Sequence, residues 1–346
     1  MSAPQKAGRG QTLSLEQVND AEWRGKRGGQ SAAVLVKLQI LLDRAHASPG
    51  EIDASFGGNT RKAVAAYREM KALARGERID EALWRALTET DQRPPLKTYT
   101  ISEADISAPF TEKVPTDYRE KAELPPLGYI SVVEALAEKF HMSEKLLRRL
   151  NPDAAFEKSG TEIAVADVQR DGLPRKVGRI EIKGTQVRVY DKDESIVAIY
   201  PATVGSTERP SPAGELKVTA VAENPTYYYD PANNLKGVDV EEKLKLPPGP
   251  NNPVGAVWIS LSEKGYGIHG TPDPEAVGKR ASHGCIRLTN WDALELAKHV
   301  QKGTPVTIQS MSRRNGQESR NSRGPIPPAH PRPPTRTCSR PKPHTS

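Results

Sequence analysis

"GIHGTPDPEAVGKRASHGCIRLTNWDA" runs from Gly267 to Ala293, and its reading decides the C-terminal half of the chain. It holds two of the seven histidines, His269 and His283, and one of the two cysteines, Cys285. The stretch ending at His269 reads as a strand. After Cys285 the pattern turns helical: Thr289 or Asn290 at the N-cap, Asp292 in the first turn, Ala293, Leu296, Ala297 and Val300 on one face, Gly303 at the stop. A strand and a cysteine-bearing turn therefore feed one helix.

Upstream the period is two. Ile180 and Ile182, Val187 and Val189, then Val197 and Ile199 alternate with polar residues, separated by "KGT" and "DKDES", which predicts strands in hairpins. "GELKVTAV", "AVWISL" and "PVTIQS" continue the pattern. The stretch "ENPTYYYDPANNLKGVDVEEKLKLPPGPNNP" interrupts it and predicts a long surface loop or lid. Residues 177–310 thus form a mostly-β domain with one helix.

Residues 1–30 are polar and Gly-rich and are expected to be disordered. Residues 31–90 carry helical periodicity in three runs, with Thr60 where the N-cap of "RKAVAAYREM" would fall. Leu38-Gln39, Asp53 to Thr60, and Ala63 to Tyr67 resemble the pattern of small three-helix peptidoglycan-binding domains. "DQRPPLK" reads as a linker. In 97–170, "ALAEKFHMSEKLLRRLNP" followed by "GTEIAVA" resembles the two helices and last strand of a LysM module. The whole is a multi-domain α+β chain.

With 346 residues, two or three domains are expected. The net charge of +7 is concentrated in the tail 311–346, which has eight Lys/Arg against one acid, so the remainder is balanced and nucleic acid is not an expected partner. That tail is basic, Pro-rich and too poor in apolar residues to bury a core, so disorder is expected. No stretch approaches the roughly 18 apolar residues that span a bilayer, and the first residues lack the apolar core of an export signal. Cys338 lies in the tail, which leaves Cys285 as a free thiol in the folded part.

A thiol attacks well only as thiolate, so a neighbouring imidazole or helix N-terminus is sought. In an extended Ser282–Cys285 segment, His283 shares a face with the sulfur, and His269 on a paired strand can act as general base. Gly270 and Gly284 permit close backbone approach, and the N–H groups of Gly284 and Cys285 are candidate oxyanion donors. Arg287 can bind a carboxylate bidentately. A Cys-His-His metal site lacks the fourth ligand of a closed structural site, so no metal is expected.

His269 followed by Ser282, His283, Gly284, Cys285, Ile286 and Arg287, on this β pattern, resembles the catalytic core of the L,D-transpeptidases with a YkuD-type domain. The resemblance implies a β-sandwich-like catalytic domain with a capping loop, preceded by the three-helix and LysM-like units. It implies an acyl transfer on peptidoglycan tetrapeptide stems that serves wall biogenesis and cell shape. Cys285 would form a thioester with the stem after loss of D-alanine, and an amine of another stem would capture it as a 3→3 cross-link. A lipoprotein lysine is an alternative acceptor in some members. His269 would handle the protons, His283 would shape the site, Ser282 would orient that histidine, and Arg287, Tyr227 and Tyr229 would line the substrate. No cofactor is implied, and carbapenems are expected to acylate Cys285. The location implied is periplasmic or wall-associated. Capture by water, giving a carboxypeptidase or endopeptidase, and a non-catalytic wall-binding protein are the competing readings. The segments before residue 170 are expected to be separable from the chemistry.

Overall fold

The computed structural model describes residues 13–25, 31–170, 172–173, 176–206, 210–231, 240–280, 282 and 284–309. The tail 311–346, Cys338 and His283 lie outside them.

Disorder over 1–30 does not hold for residues 13–25. Helix α1 (Leu15–Asn19) starts on a reciprocal capping box between Ser14 and Gln17 and buries Val18 completely. The side chain of Asn19 then pairs with both backbone groups of Leu96, at 2.8 and 3.1 Å, which anchors the segment across 77 residues.

Helices α2 (Ala32–Arg44), α3 (Gly58–Met70) and α4 (Glu81–Thr90) pack Leu38, Leu42, Val64, Tyr67, Leu83 and Leu87 into one cluster. Thr60 is not the cap. Gly57 takes that place, and the Thr60 hydroxyl instead accepts from the buried amide of Gln39 and donates to Ser55 O. Gln39 also donates to Asp53 and accepts from two backbone N–H groups of the same turn. One buried amide therefore clasps the turn between α2 and α3.

Strand β1 (Leu96–Thr100) begins inside the expected linker and pairs antiparallel with β2 (Glu162–Ala166). Between them come the short α5 (Glu103–Ile106) and α6 (Tyr118–Ala122), then α7 (Val132–Lys139) and α8 (Glu144–Leu150). Their apolar faces share a core with β1 and β2.

Among the described residues ten strands follow: β3 (Val177–Lys183), β4 (Gln186–Asp191), β5 (Ile196–Pro201), β6 (Gly214–Glu223), β7 (Tyr227–Tyr229), β8 (Leu244–Leu246), β9 (Val257–Leu261), β10 (Gly267–His269), β11 (Ile286–Arg287) and β12 (Pro305–Ile308). Eight of them form one sheet in the order β11-β10-β9-β6-β12-β3-β4-β5. The alternation seen in the sequence becomes buried rows: Val306–Ile180–Val189–Ala198 and Ile308–Ile182–Val187–Tyr200 lie side by side across four strands. The sheet curls until its edges meet, where Thr203, beyond β5, exchanges both backbone hydrogen bonds with Arg287. Its two halves face each other across one core, as expected of a sandwich. Helix α9 (Asn290–His299), capped by Thr289, adds Ala293, Leu296 and Ala297 to that core and ends before Gly303, at Val300. The expected lid is partly regular: β7 and β8 form a small hairpin.

The upstream segments meet this domain through buried polar contacts. Arg170 sits between Asp43 of α2 and Glu295 of α9, with Nε 2.7 Å from the Glu295 carboxylate. Glu295 also receives the Tyr200 hydroxyl at 2.7 Å and lies 3.2 Å from His46, while His141 joins Asp43 and stacks on Trp291. Ser48 donates to Asp292 at 2.8 Å. Removing residues 1–170 would expose a buried charged network, so these segments contribute to the stability of the C-terminal domain.

Candidate active site

Parallel pairing of β10 with β11 sets Ile268 beside Ile286 and His269 beside Arg287. Side chains alternate across a strand, so the two isoleucines enter the core while His269 and Arg287 share the other face. Trp258 on β9 stands opposite His269 on that face, and its indole stacks on the imidazole at 5.3 Å and 19°. Cys285, two residues before Arg287, continues the row. By the same register it faces Gly267, whose N–H donates toward the sulfur. Glycine is required at 267, because a Cβ there would stand 2.6 Å from the Trp258 ring.

The electrostatics differ from the expected thiolate. Burial pushes the Cys285 thiol up, against the Gly267 N–H and the Arg287 charge, which pull it down. His269, only 3% exposed, is pushed down to about 3 by burial, with Arg287 adding to the shift. The resting pair is a neutral thiol and a neutral imidazole. His269 Nδ1 lies 2.6 Å from Gly270 O. A carbonyl only accepts, so Nδ1 carries the proton and Nε2 keeps its lone pair.

Ser282 serves the turn itself. Its hydroxyl donates to Cys285 O at 2.6 Å and accepts from Gly284 N at 3.2 Å. The Gly284 N–H is thus already engaged, which corrects its assignment as an oxyanion donor. The Cys285 N–H has no partner among the described residues. Gly284 has φ +122, a conformation that favours glycine, and a Cβ would lie 2.9 Å from the Tyr266 ring. Ser211 holds the Gly284 carbonyl at 2.7 Å from the far side. Two hydroxyls, of Ser282 and Ser211, thus hold the described residues of the nucleophile turn.

Arg287 Nε is buried and has no hydrogen-bond partner among the described residues. Tyr227 is half-buried beside it, with its phenol pushed up by burial and by neighbours that include Tyr118, Cys285 and Tyr229. Tyr229 belongs elsewhere: it is 2% exposed, its hydroxyl donates to Val240 O, and with Leu246 it forms the hairpin's own core. A substrate-lining role for Tyr229 is therefore corrected. Tyr118 of α6 packs edge-on against Tyr227 and Tyr229 at 6.4 and 5.3 Å, so the upstream segment reaches the mouth of the site. Gly270 meets Asn290, whose Oδ1 a Cβ at 270 would overlap.

Sequence reasoning missed Trp258, Gly267, Ser211, Tyr118 and Asn290. Only Trp258 carried a signal, as a bulky residue in the strand just before the one that ends at His269. Among the described residues no group of three or more His, Cys, Asp or Glu is placed to hold a metal ion.

The family description "L,D-transpeptidase catalytic domain", YkuD, matches residues 176–308. The Bacillus licheniformis protein named "Putative L,D-transpeptidase YkuD" is 31% identical over 179 residues, covering 51% of this chain and 92% of that protein. Its namesake in Bacillus subtilis is 34% identical over 181 residues, with the same coverage of 51% and 92%. Among solved structures, L,D-transpeptidase 3 from Mycobacterium tuberculosis with a faropenem-derived adduct is 20% identical over 44% of this chain and 74% of that one, at a TM-score of 0.32, too low to carry weight. Such identity along nearly the whole of both Bacillus proteins means that the chain belongs to the YkuD family of L,D-transpeptidases.

Proposed function

We propose that this chain is a cysteine-dependent L,D-transpeptidase acting on peptidoglycan tetrapeptide stems. His269 Nε2 takes the proton of Cys285 Sγ as the sulfur attacks the carbonyl between the third stem residue and the terminal D-alanine. The Cys285 N–H donates to the oxyanion. The C–N bond breaks, His269 returns the proton to the leaving amine, and a thioester remains. An amine of a second stem then attacks the thioester, loses its proton to His269 and frees the thiol, which gives a 3→3 cross-link. Arg287 binds a stem carboxylate, and Tyr227 lines the stem. His283, outside the described residues, shapes the site.

The observation that carries this reading is His269 held neutral, with Nδ1 on the Gly270 carbonyl, on the face that carries Cys285. A raised thiol favours attack with concurrent proton removal over a standing thiolate. The unpartnered Arg287 Nε supports recognition of an anionic substrate. We further assign the units 31–90 and 97–170 to wall binding; for the second, the pairing of β1 with β2, with α7 and α8 directly before β2 and the short α5 and α6 ahead of them, supports a LysM-like module. The protein then works at the wall or in the periplasm. Among the described residues no helix is long and apolar enough to cross a membrane.

The test is product analysis after incubation with purified disaccharide-tetrapeptide, beside Cys285→Ala. A dimer lacking one D-alanine is expected. Tripeptide alone would assign the chain to hydrolysis, and no product from the wild type would leave a wall-binding protein. A dimer formed with an added lipoprotein peptide in place of a stem would identify a lysine acceptor.

A further inference from the structure

His269 is fixed through its bond to Gly270 O, so whatever fixes Gly270 fixes the base. Asn290, 3% exposed at the start of α9, does this. Its Oδ1 accepts from Thr271 N and Ala256 N, both at 3.0 Å, so one side-chain oxygen ties the end of β10 to the residue before β9. Gly255 and Gly270 close around that oxygen, and a Cβ on either would overlap it. The amide's other end is held from outside the catalytic domain. Asn290 Nδ2 donates to both carboxylate oxygens of Glu138, at 2.6 and 3.2 Å, and to Pro250 O at 3.3 Å. Glu138 lies on α7, far before the matched region 176–308, and its second oxygen also accepts from the Tyr129 hydroxyl at 3.1 Å. An amide whose donor end is bound cannot flip, and only the unflipped amide presents an acceptor to the two N–H groups.

We propose that Asn290 and Glu138 are positioning residues for the transfer reaction: Glu138, supplied by the module upstream, fixes the Asn290 amide, which sets the β10 end that holds the His269 imidazole in its reactive tautomer. This rests on the reading of His269 as the base. It makes the upstream module part of the catalytic apparatus and not only a wall anchor.

The two residues can be separated by a charge exchange. Asn290→Asp keeps the acceptor for Thr271 and Ala256 but sets a second carboxylate against Glu138. Adding Glu138→Gln restores a donor–acceptor pair in the reverse sense. At pH 8.5, Asn290→Asp is expected to lower the rate of Cys285 acylation by a carbapenem at least about tenfold, and the double variant to recover most of it. ¹⁵N NMR of the His269 ring, assigned with His269→Gln, reads the tautomer without any turnover. Nδ1–H is expected in the wild type and the double variant, and a mixture in Asn290→Asp. Wild-type rate and tautomer in Asn290→Asp would overturn the proposal. So would a double variant that melts like the wild type yet stays slow. If Asn290→Asp does not fold, Glu138→Ala takes its place, and an unchanged His269 tautomer there would equally overturn it. A wild type that is never acylated would instead refute the transpeptidase reading, with the tautomer measurement still deciding this one.

Discussion

The neutral resting state of His269 has a thermodynamic consequence that can be measured without substrate. An imidazole titrates near 6.5 in the unfolded chain and at about 3 in the folded one. Its folded value is depressed, so the stability tied to it is present above 6.5 and is lost as pH falls toward about 3, because the unfolded chain takes the proton first. Each pH unit below 6.5 costs about 1.36 kcal/mol, hence about 2.7 kcal/mol on going from pH 8 to pH 4.5. Replacing His269 by Gln removes this loss. Asp292, raised to about 8 by burial, and Glu138 and Glu51, raised to about 7, have the opposite sign and lose stability as pH rises, but they are common to both proteins and cancel in the difference. Urea denaturation of wild type and His269→Gln across that range gives the difference directly. The stability advantage of the wild type over the variant should shrink by about 2.7 kcal/mol toward pH 4.5. Parallel curves would mean that His269 protonates normally in the folded protein, and the argument for a neutral base would fail.

Three further outcomes follow from contacts already described. Gly284→Ala forces a Cβ to 2.9 Å from Tyr266 at φ +122, so a loss of about 1–3 kcal/mol and slower acylation of Cys285 are expected; a wild-type melting temperature would contradict the strained turn. Arg170→Ala leaves Asp43 and Glu295 buried without their cation and should cost about 3–5 kcal/mol in urea unfolding, whereas a change under about 1 kcal/mol would show the junction to be dispensable. Arg287→Lys keeps the charge but loses the planar fork, so KM for tetrapeptide should rise about tenfold with a smaller effect on kcat. An unchanged KM would remove Arg287 from the substrate.

What could be read from the sequence was whatever repeats locally. Ile180, Ile182, Val187 and Val189 announced their strands because a half-buried strand alternates, and the structure places them in adjacent buried rows. Cys285 and His269 were legible because their neighbours are short, polar and glycine-rich. The rest depended on partners far along the chain. Glu138 reads as an exposed residue of a helix until α7 is laid against α9, 152 residues away, and Arg170 as a linker cation until Glu295 lies beside it, 125 residues away. Tyr229 went wrong for the same reason: a run of three tyrosines looks alike, and only pairing with β8 turns one inward and leaves Tyr228 exposed. The direction of the Cys285 shift was missed because burial is a tertiary property, and here it outweighs the donors around the sulfur.

The central claim is that Cys285 is an acyl-accepting nucleophile served by His269. Peptide-mapped mass spectrometry of the full chain after brief exposure to a carbapenem tests it most directly. The adduct should map to the peptide containing Cys285, be absent in Cys285→Ala, and form at least about a hundredfold more slowly in His269→Gln. An adduct elsewhere, or one that forms as fast without His269, would contradict the account.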